Sequence, residues 1–272
     1  MERARGSRRT PLDDVDHLAR SPHRAEVVRR FAAADRTRRE LHEETGIPQP
    51  TLGRILGSFQ ERGWLERAGD TYALTVRGRL VATAFERLLD VVGTVQRLPA
   101  EATFEPLLEL GFDLDWLAGV EVTDPAGTGD PFAHVRRVRE SMTATARIVE
   151  LSPRPMPGVA ELLADRLRAG ELAVETVFPS DAFRAFVADS DNRTLVAGML
   201  GTGRFRLHLF DGRVPCYVAR HGDRAVVDLQ SSDGRMLGLL STADPAVLDW
   251  VDAVVEDFRA RSAAVTAVDL ED

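Results

Sequence analysis

Between residues 21 and 75 the chain carries helix-start and helix-stop signals at intervals that leave few ways to fold. Ser21 is a good N-cap, with Pro22 at the first helical position, so residues 22–34 read as a helix with Val27, Val28 and Phe31 inward. Thr37 and Glu40 have capping-box spacing and open a short second helix that stops at Gly46. The turn Gly46-Ile47-Pro48 leads into a third helix, Pro48–Arg62, with Leu52, Ile55, Leu56 and Phe59 on one face. Gly63 ends it. Trp64–Arg67 and Thr71–Leu74 then flank a Gly-Asp turn and predict a β-hairpin. Thr75 caps a long helix, 76–97, whose apolar positions are Leu80, Val81, Ala84, Leu88, Val91, Val92 and Val95.

The rest of the chain has a different rhythm. Strands are expected at 145–151, 172–178, 204–210 and near 236–240, and helices at 157–169, 180–188 and 245–263. A second hairpin, Pro215–Ala219 with Arg224–Leu229, turns at His221-Gly222-Asp223. Strands alternating with helices argue for an α/β layer architecture. Residues 99–143 resist this pattern, and 123–131 are a loop by composition.

Composition narrows the chemistry. The 272 residues contain no lysine, so all 35 basic residues are arginine. That excludes a P-loop lysine, a Schiff-base lysine, a kinase-type lysine and a Ser-x-x-Lys pair. No Gly-x-Ser-x-Gly occurs, and His17, His23, His42, His134, His208 and His221 show no metal-ligand spacing. No enzyme activity, cofactor or metal is therefore expected. Cys216, the single cysteine, reads as a small buried hydrophobe. No run approaches the ~20 apolar residues of a membrane helix. Thr10–Asp16 follows the basic start where a signal peptide would be apolar, so the cytoplasm is the expected compartment. The acidic, lysine-free composition fits both salt-adapted archaeal proteins and GC-rich coding. The charge is uneven: residues 1–97 carry 18 Arg and 14 acids (+4), and residues 98–272 carry 17 Arg and 29 acids (−12). Such asymmetry points to a nucleic-acid-facing first part.

The N-terminal run resembles a winged helix-turn-helix. Arg39-Glu40-Leu41 with Thr45-Gly46-Ile47 matches the positioning helix and turn, and Pro50–Leu56 with Phe59 matches the recognition helix. Glu61–Arg67 and Tyr72–Thr75 with Gly78 match the wing. The resemblance implies that the third helix enters the DNA major groove. Its outward candidates are Gln49, Pro50, Thr51, Arg54 and Ser58, with Gly53 and Gly57 giving the backbone room. Arg36, Arg38, Arg39 and Arg67 are phosphate candidates. The competing reading is a winged helix used for protein contacts without specific DNA binding.

Further on, Asp130-Pro131, Val135-Arg136-Arg137, Val149-Glu150-Leu151, Phe205–Asp211, Val226–Leu229 and Ala243–Trp250 resemble the C-terminal domain of the archaeal methanogenesis-regulatory-protein family. The order of elements also resembles a degenerate phospholipase D-like half without its His-x-Lys motif. The resemblance implies an effector or assembly domain. Arg204, Arg206 and Arg213 are weak candidates for an anionic small-molecule effector. The expected fold is α+β, an N-terminal winged helix-turn-helix followed by an α/β sandwich-like effector domain. The expected boundaries are a flexible basic arm (1–20), a DNA-binding domain (21–98), a connector (99–143), an effector or assembly domain (144–265) and an acidic tail (266–272). The expected partners are double-stranded DNA and a second copy in a homodimer, with no membrane.

Overall fold

The computed structural model describes residues 9–123, 133–156 and 158–270. The chain divides into two units, 1–92 and 93–272, and the division falls inside the long helix.

The first unit contains α1 (Pro11–Ala19), α2 (Pro22–Ala33), β1 (Arg36–Thr37), α3 (Arg38–Thr45), α4 (Gln49–Glu61), β2 (Leu65–Ala68), β3 (Thr71–Leu74) and most of α5 (Val76–Arg97). The Thr37–Glu40 capping box forms as expected, and Gly46 closes α3 at φ 68°, a left-handed position that glycine adopts without strain. The wing strands pair in register from Leu65–Leu74 to Ala68–Thr71, and β1 adds to them in the order β1-β3-β2. Leu41, Leu52, Leu56 and Phe59 are fully buried at the centre of one apolar cluster.

Two expectations change here. The arm expected at 1–20 lies outside the described residues up to residue 8, but 11–19 form a helix. Thr10 and Asp13 make a reciprocal capping box with Pro11 at the first position, so the chain has strong local reasons to coil. The apolar stripe of α5 also faces the other way. Ala82 and Phe85 are buried, with Val81 and Leu89 half-buried beside them. Gly78 fixes this rotation, since a Cβ there would stand 1.9 Å from the Trp64 carbonyl oxygen. Val76, Leu80, Leu88, Val92 and Val95 are left exposed.

The second unit is built on a mixed sheet in the order β12-β8-β7-β6-β9-β10-β11-β5, with β4 also on β10. Its strands are β4 (Ala102–Thr103), β5 (Glu121–Thr123), β6 (Arg147–Leu151), β7 (Ala173–Pro179), β8 (Phe205–Phe210), β9 (Val218–His221), β10 (Arg224–Ser231), β11 (Met236–Thr242) and β12 (Ala263–Val265). β6, β7 and β8 are parallel and the other pairings antiparallel. One face packs on the last long helix (Pro245–Ala260) with Leu107, Phe112, Leu117 and Val120. The other packs on helices Ala133–Thr143, Val159–Arg168, Ser180–Val187 and Ser190–Gly201. This is the α/β sandwich expected, with two further helices in this layer, Ala133–Thr143 and Ser190–Gly201, that sequence periodicity passes over.

Residues 99–143 are not a connector. Short β4 and β5 extend the sheet, Val138 and Met142 enter its core, and the Trp250 indole donates to the Leu110 carbonyl at 2.9 Å. The loop expected at 123–131 falls mostly on residues outside those described, though Thr123 closes β5. The tail is not simply solvated. β12 pairs with β8, and Ala267–Leu270 form a 3-10 turn that brings Leu270 against the core.

Candidate nucleic-acid interface

α4 is held by its apolar side, so its opposite side is set by geometry. Leu52, Ile55, Leu56 and Phe59 are inward. Pro50 and Arg54 are exposed, and Gln49, Thr51, Gly53 and Gly57 are half-buried. Arg54 makes no hydrogen bond or ion pair among the described residues, so its fork of donors is open.

Arg38, at the start of α3, reaches across to α4. Its Nε donates to Gln49 Oε1 at 2.6 Å. A Cβ on Gly53 would sit 3.5 Å from its guanidinium, an ordinary contact, so space alone does not demand the glycine, which costs this helix ~1 kcal/mol. Gly57 faces open space. Arg38, Gln49, Gly53 and Arg54 therefore lie together, with the Gln49 amide already engaged. Arg39 is largely exposed and lies 3.5 Å from Glu43. Arg67, in the wing, donates to the Gly69 carbonyl and stacks over Tyr72 at 5.4 Å.

Two candidates are placed elsewhere. Ser58 donates to the Ile55 carbonyl and meets His17 Nε2 at 3.1 Å, so it faces α1 rather than outward. Arg36 is paired with Glu44 at 2.9 Å, which offsets its charge locally. Sequence reading missed α1 as the cover of α4's far end. Arg62 bonds Asp14 at 2.5 Å, and His17 packs edge-on against Phe59 and Trp64. Burial, aided by the Arg62 and Arg24 charges, pushes His17 down to about 4, so it is neutral at pH 7. The signal that could have found this helix was Thr10-Pro11-x-Asp13.

The three effector candidates do not converge. The Arg204 guanidinium lies over Gly170, Arg206 stands 4.0 Å from Glu175, and Arg213 pairs with Glu109. Cys216 is fully buried, and desolvation pushes its thiol well up, which holds it protonated. Among the described residues no group of three or more His, Cys, Asp or Glu side chains is placed to hold a metal, and no helix is long and apolar enough to cross a membrane.

Residues 12–97 match the family model of the HVO_A0261 N-terminal domain. Residues 131–261 match that of the methanogenesis regulatory protein FilR1, middle domain. No curated protein matches the chain. Among solved structures, TrmBL2, described as an archaeal chromatin protein with a novel mode of DNA binding, is 13% identical over 94% of this chain and 100% of its own, with a TM-score of 0.42. The phospholipase D family member Nuc from Salmonella typhimurium is 9% identical over 54% of this chain and 98% of its own, with a TM-score of 0.41. Both likenesses are remote. The more specific likeness is to the two family models: residues 12–97 are similar to the HVO_A0261 N-terminal domain, and residues 131–261 to the middle domain of the methanogenesis regulatory protein FilR1.

Proposed function

We propose that this chain is a cytoplasmic DNA-binding transcriptional regulator, a homodimer without enzyme activity, whose second unit senses a small-molecule effector or mediates assembly. The observation that carries the reading is Arg54, exposed and uncommitted on α4, with Arg38 beside it across Gly53. A guanidinium so placed suits a guanine edge in the major groove, and a bidentate contact discriminates by ~1–3 kcal/mol. Arg38, Arg39 and Arg67 are the proposed phosphate contacts, with Pro50 and Thr51 at the start of the reading helix. Arg54→Ala is expected to relax preference at one base position per half-site. Arg38→Ala is expected to weaken all sequences alike and to lower the salt slope by about one unit. Titrations against an operator and its single-base variants at several salt concentrations check both. If neither change affects DNA binding, the winged helix is a protein-interaction module.

A second copy is the proposed occupant of the α5 stripe. Val76, Leu80, Leu88, Val92 and Val95 are 44–76% exposed and recur at helical spacing. The four in the first unit, from Val76 to Val92, extend over about 24 Å at 1.5 Å per residue. Winged helices that read paired half-sites need two copies held one helical turn apart. Sedimentation is expected to give a dimer at micromolar concentration and a monomer for Leu80→Glu with Leu88→Glu. A wild-type monomer with and without DNA overturns the dimer.

A further inference from the structure

The second unit buries polar groups that the DNA-facing reading does not use, and the sheet's alternation puts them on one face. Glu150 on β6, Thr176 on β7, Tyr217 and His221 about β9, and Asp228 on β10 all look toward the four-helix layer. The Tyr217 hydroxyl donates to Glu150 Oε2 at 3.0 Å and lies 2.9 Å from His221 Nε2, whose ring Nδ1 is 2.7 Å from Ser141 Oγ. Asp228 accepts from the Tyr217 backbone N–H at 3.0 Å and from Gln230 at 2.8 Å. Glu150 and Asp228 are 5% and 4% exposed, and neither has an ion pair among the described residues. Thr176, fully buried, faces the Glu150 carboxyl, but its hydroxyl makes no well-formed hydrogen bond there. Asp228 feels the Arg154 charge, whereas Glu150 is buried with no cation acting on it, and a buried carboxyl so placed is costly.

These groups border empty space. One lobe of about 40 Å³ touches Glu150, Thr176 and Tyr217, and a second of about 110 Å³ touches Tyr217, Asp228 and Gln230. Ser152, Arg154, Met156 and Tyr217 belong to both. Together the lobes approach the ~150 Å³ of an apolar cavity that holds benzene. The remaining walls are apolar, with Leu163, Phe178 and Phe183 among them. Four of the chain's five methionines, Met142, Met156, Met199 and Met236, line one lobe or the other. Methionine walls reshape easily around a guest. The lobes open beside Ser152 and Arg154, just past the carboxyl end of β6, where parallel strands commonly present ligand sites.

We propose that this double-lobed cavity binds a small organic amine, its cationic, hydrogen-donating head on Glu150 and Thr176 and its apolar body among the methionines and phenylalanines. The inference rests on the effector-sensing reading above and names its ligand class. A donating head suits Glu150, because the one hydroxyl hydrogen of Tyr217 goes to a single carboxyl oxygen and leaves the other to accept, and the Thr176 hydroxyl can accept beside it. A cation holds Glu150 ionised, so the bonds run from Ser141 through His221 and Tyr217 toward it. The ligand's charge is thereby felt at the Ala133–Thr143 helix.

The test uses the full chain and two readouts on the same preparations. Benzylamine, phenethylamine and hexylamine are titrated by calorimetry, with benzyl alcohol and hexanoate as neutral and anionic counterparts. Saturable binding of the amines is expected, with the counterparts about tenfold weaker or worse. Glu150→Gln keeps the shape and is expected to lower amine affinity about tenfold. Thr176→Val, isosteric and free of the hydroxyl, is expected to keep the fold and to lower it several-fold, which covers the case of an unstable glutamine variant. Equal binding of alcohol and amine, no amine binding, or full affinity in both variants overturns the site. DNA binding is followed by fluorescence anisotropy with and without benzylamine. A chain that binds DNA and ignores every amine overturns the site and keeps the regulator. A chain that binds amines through Glu150 but never binds DNA does the reverse.

Discussion

The two units solve opposite problems with their polar residues. All nine buried polar or charged side chains among the described residues, Glu150, Thr176, His221 and Asp228 included, lie in 93–272. The core of the first unit is apolar throughout, and its charges stay outside, on caps and arginines. A fold that only has to present a helix outward can keep a dry interior. A fold that buries the Glu150 carboxyl without an ion pair next to empty space carries a cost that packing alone does not explain.

The largest expected effect breaks the dry side of this comparison. Phe59 is fully buried between α4 and the α1 ring cluster. Phe59→Ala is expected to cost ~3–5 kcal/mol, enough to unfold much of a small unit. Urea unfolding and DNA affinity measured together check it, and a loss below ~1 kcal/mol would mean that this core is not the one holding the winged helix.

Acid sharpens the comparison. Burial pushes His221 down to about 4, against ~6.5 unfolded, so stability falls as pH drops from 6.5 toward 4. Burial raises Asp228 to about 6, against ~3.9 unfolded, so its contribution rises as pH drops over nearly the same window. Each amounts to about 3 kcal/mol, and the two largely cancel, while burial also lowers His208 and raises Glu150, a second pair of opposite sign. In the first unit nothing offsets His17, and the Asp13 and Glu40 carboxyls, held down by bonds from Thr10 and Thr37, add losses of the same sign at lower pH. Between pH 7 and 4.5, hydrogen exchange is expected to show the first unit loosening well before the second. Simultaneous loosening would show that the buried carboxylates are not offsetting His221.

The smallest effect concerns the caps. Thr37→Ala removes one half of the α3 capping box, at a cost of ~1 kcal/mol. It is expected to lower the thermal midpoint by a few degrees and to weaken DNA binding slightly, through the start of α3 where Arg38 sits. A cap loss that left DNA affinity untouched would separate the placement of Arg38 from the cap.

The first unit was legible because its instructions are local. Thr37 with Glu40, Gly46 and Gly63 each fix the backbone within four residues, and α3, α4 and the wing appear where those signals stand. α1 was not legible because its start signal, Thr10-Pro11-x-Asp13, opens only nine residues with one buried position, Leu18, behind a run of arginines. Arg54 could be placed from helical spacing alone, whereas Ser58 could not, since α1 covers it from 41 residues away. In the second unit the strand alternation was readable, but β4 and β5 are two and three residues long and pair with β10 and β11 over a hundred residues later. Nothing local marks such strands. Glu150 looked like any strand polar residue, because its burial follows from helices covering both faces of the sheet.

The two ends of that sheet bear on how the chain behaves in a crowded solution. A wide sheet is a template for further strands wherever its rim is long and flat. Here the rim strands, β12 and β5, have only three residues each. Behind β12 stands the six-residue β8, which would become the rim if residues 263–272 were removed. The terminal segment thus acts as a stopper against edge-to-edge stacking, and its loss would appear as aggregation before it appeared as lost function.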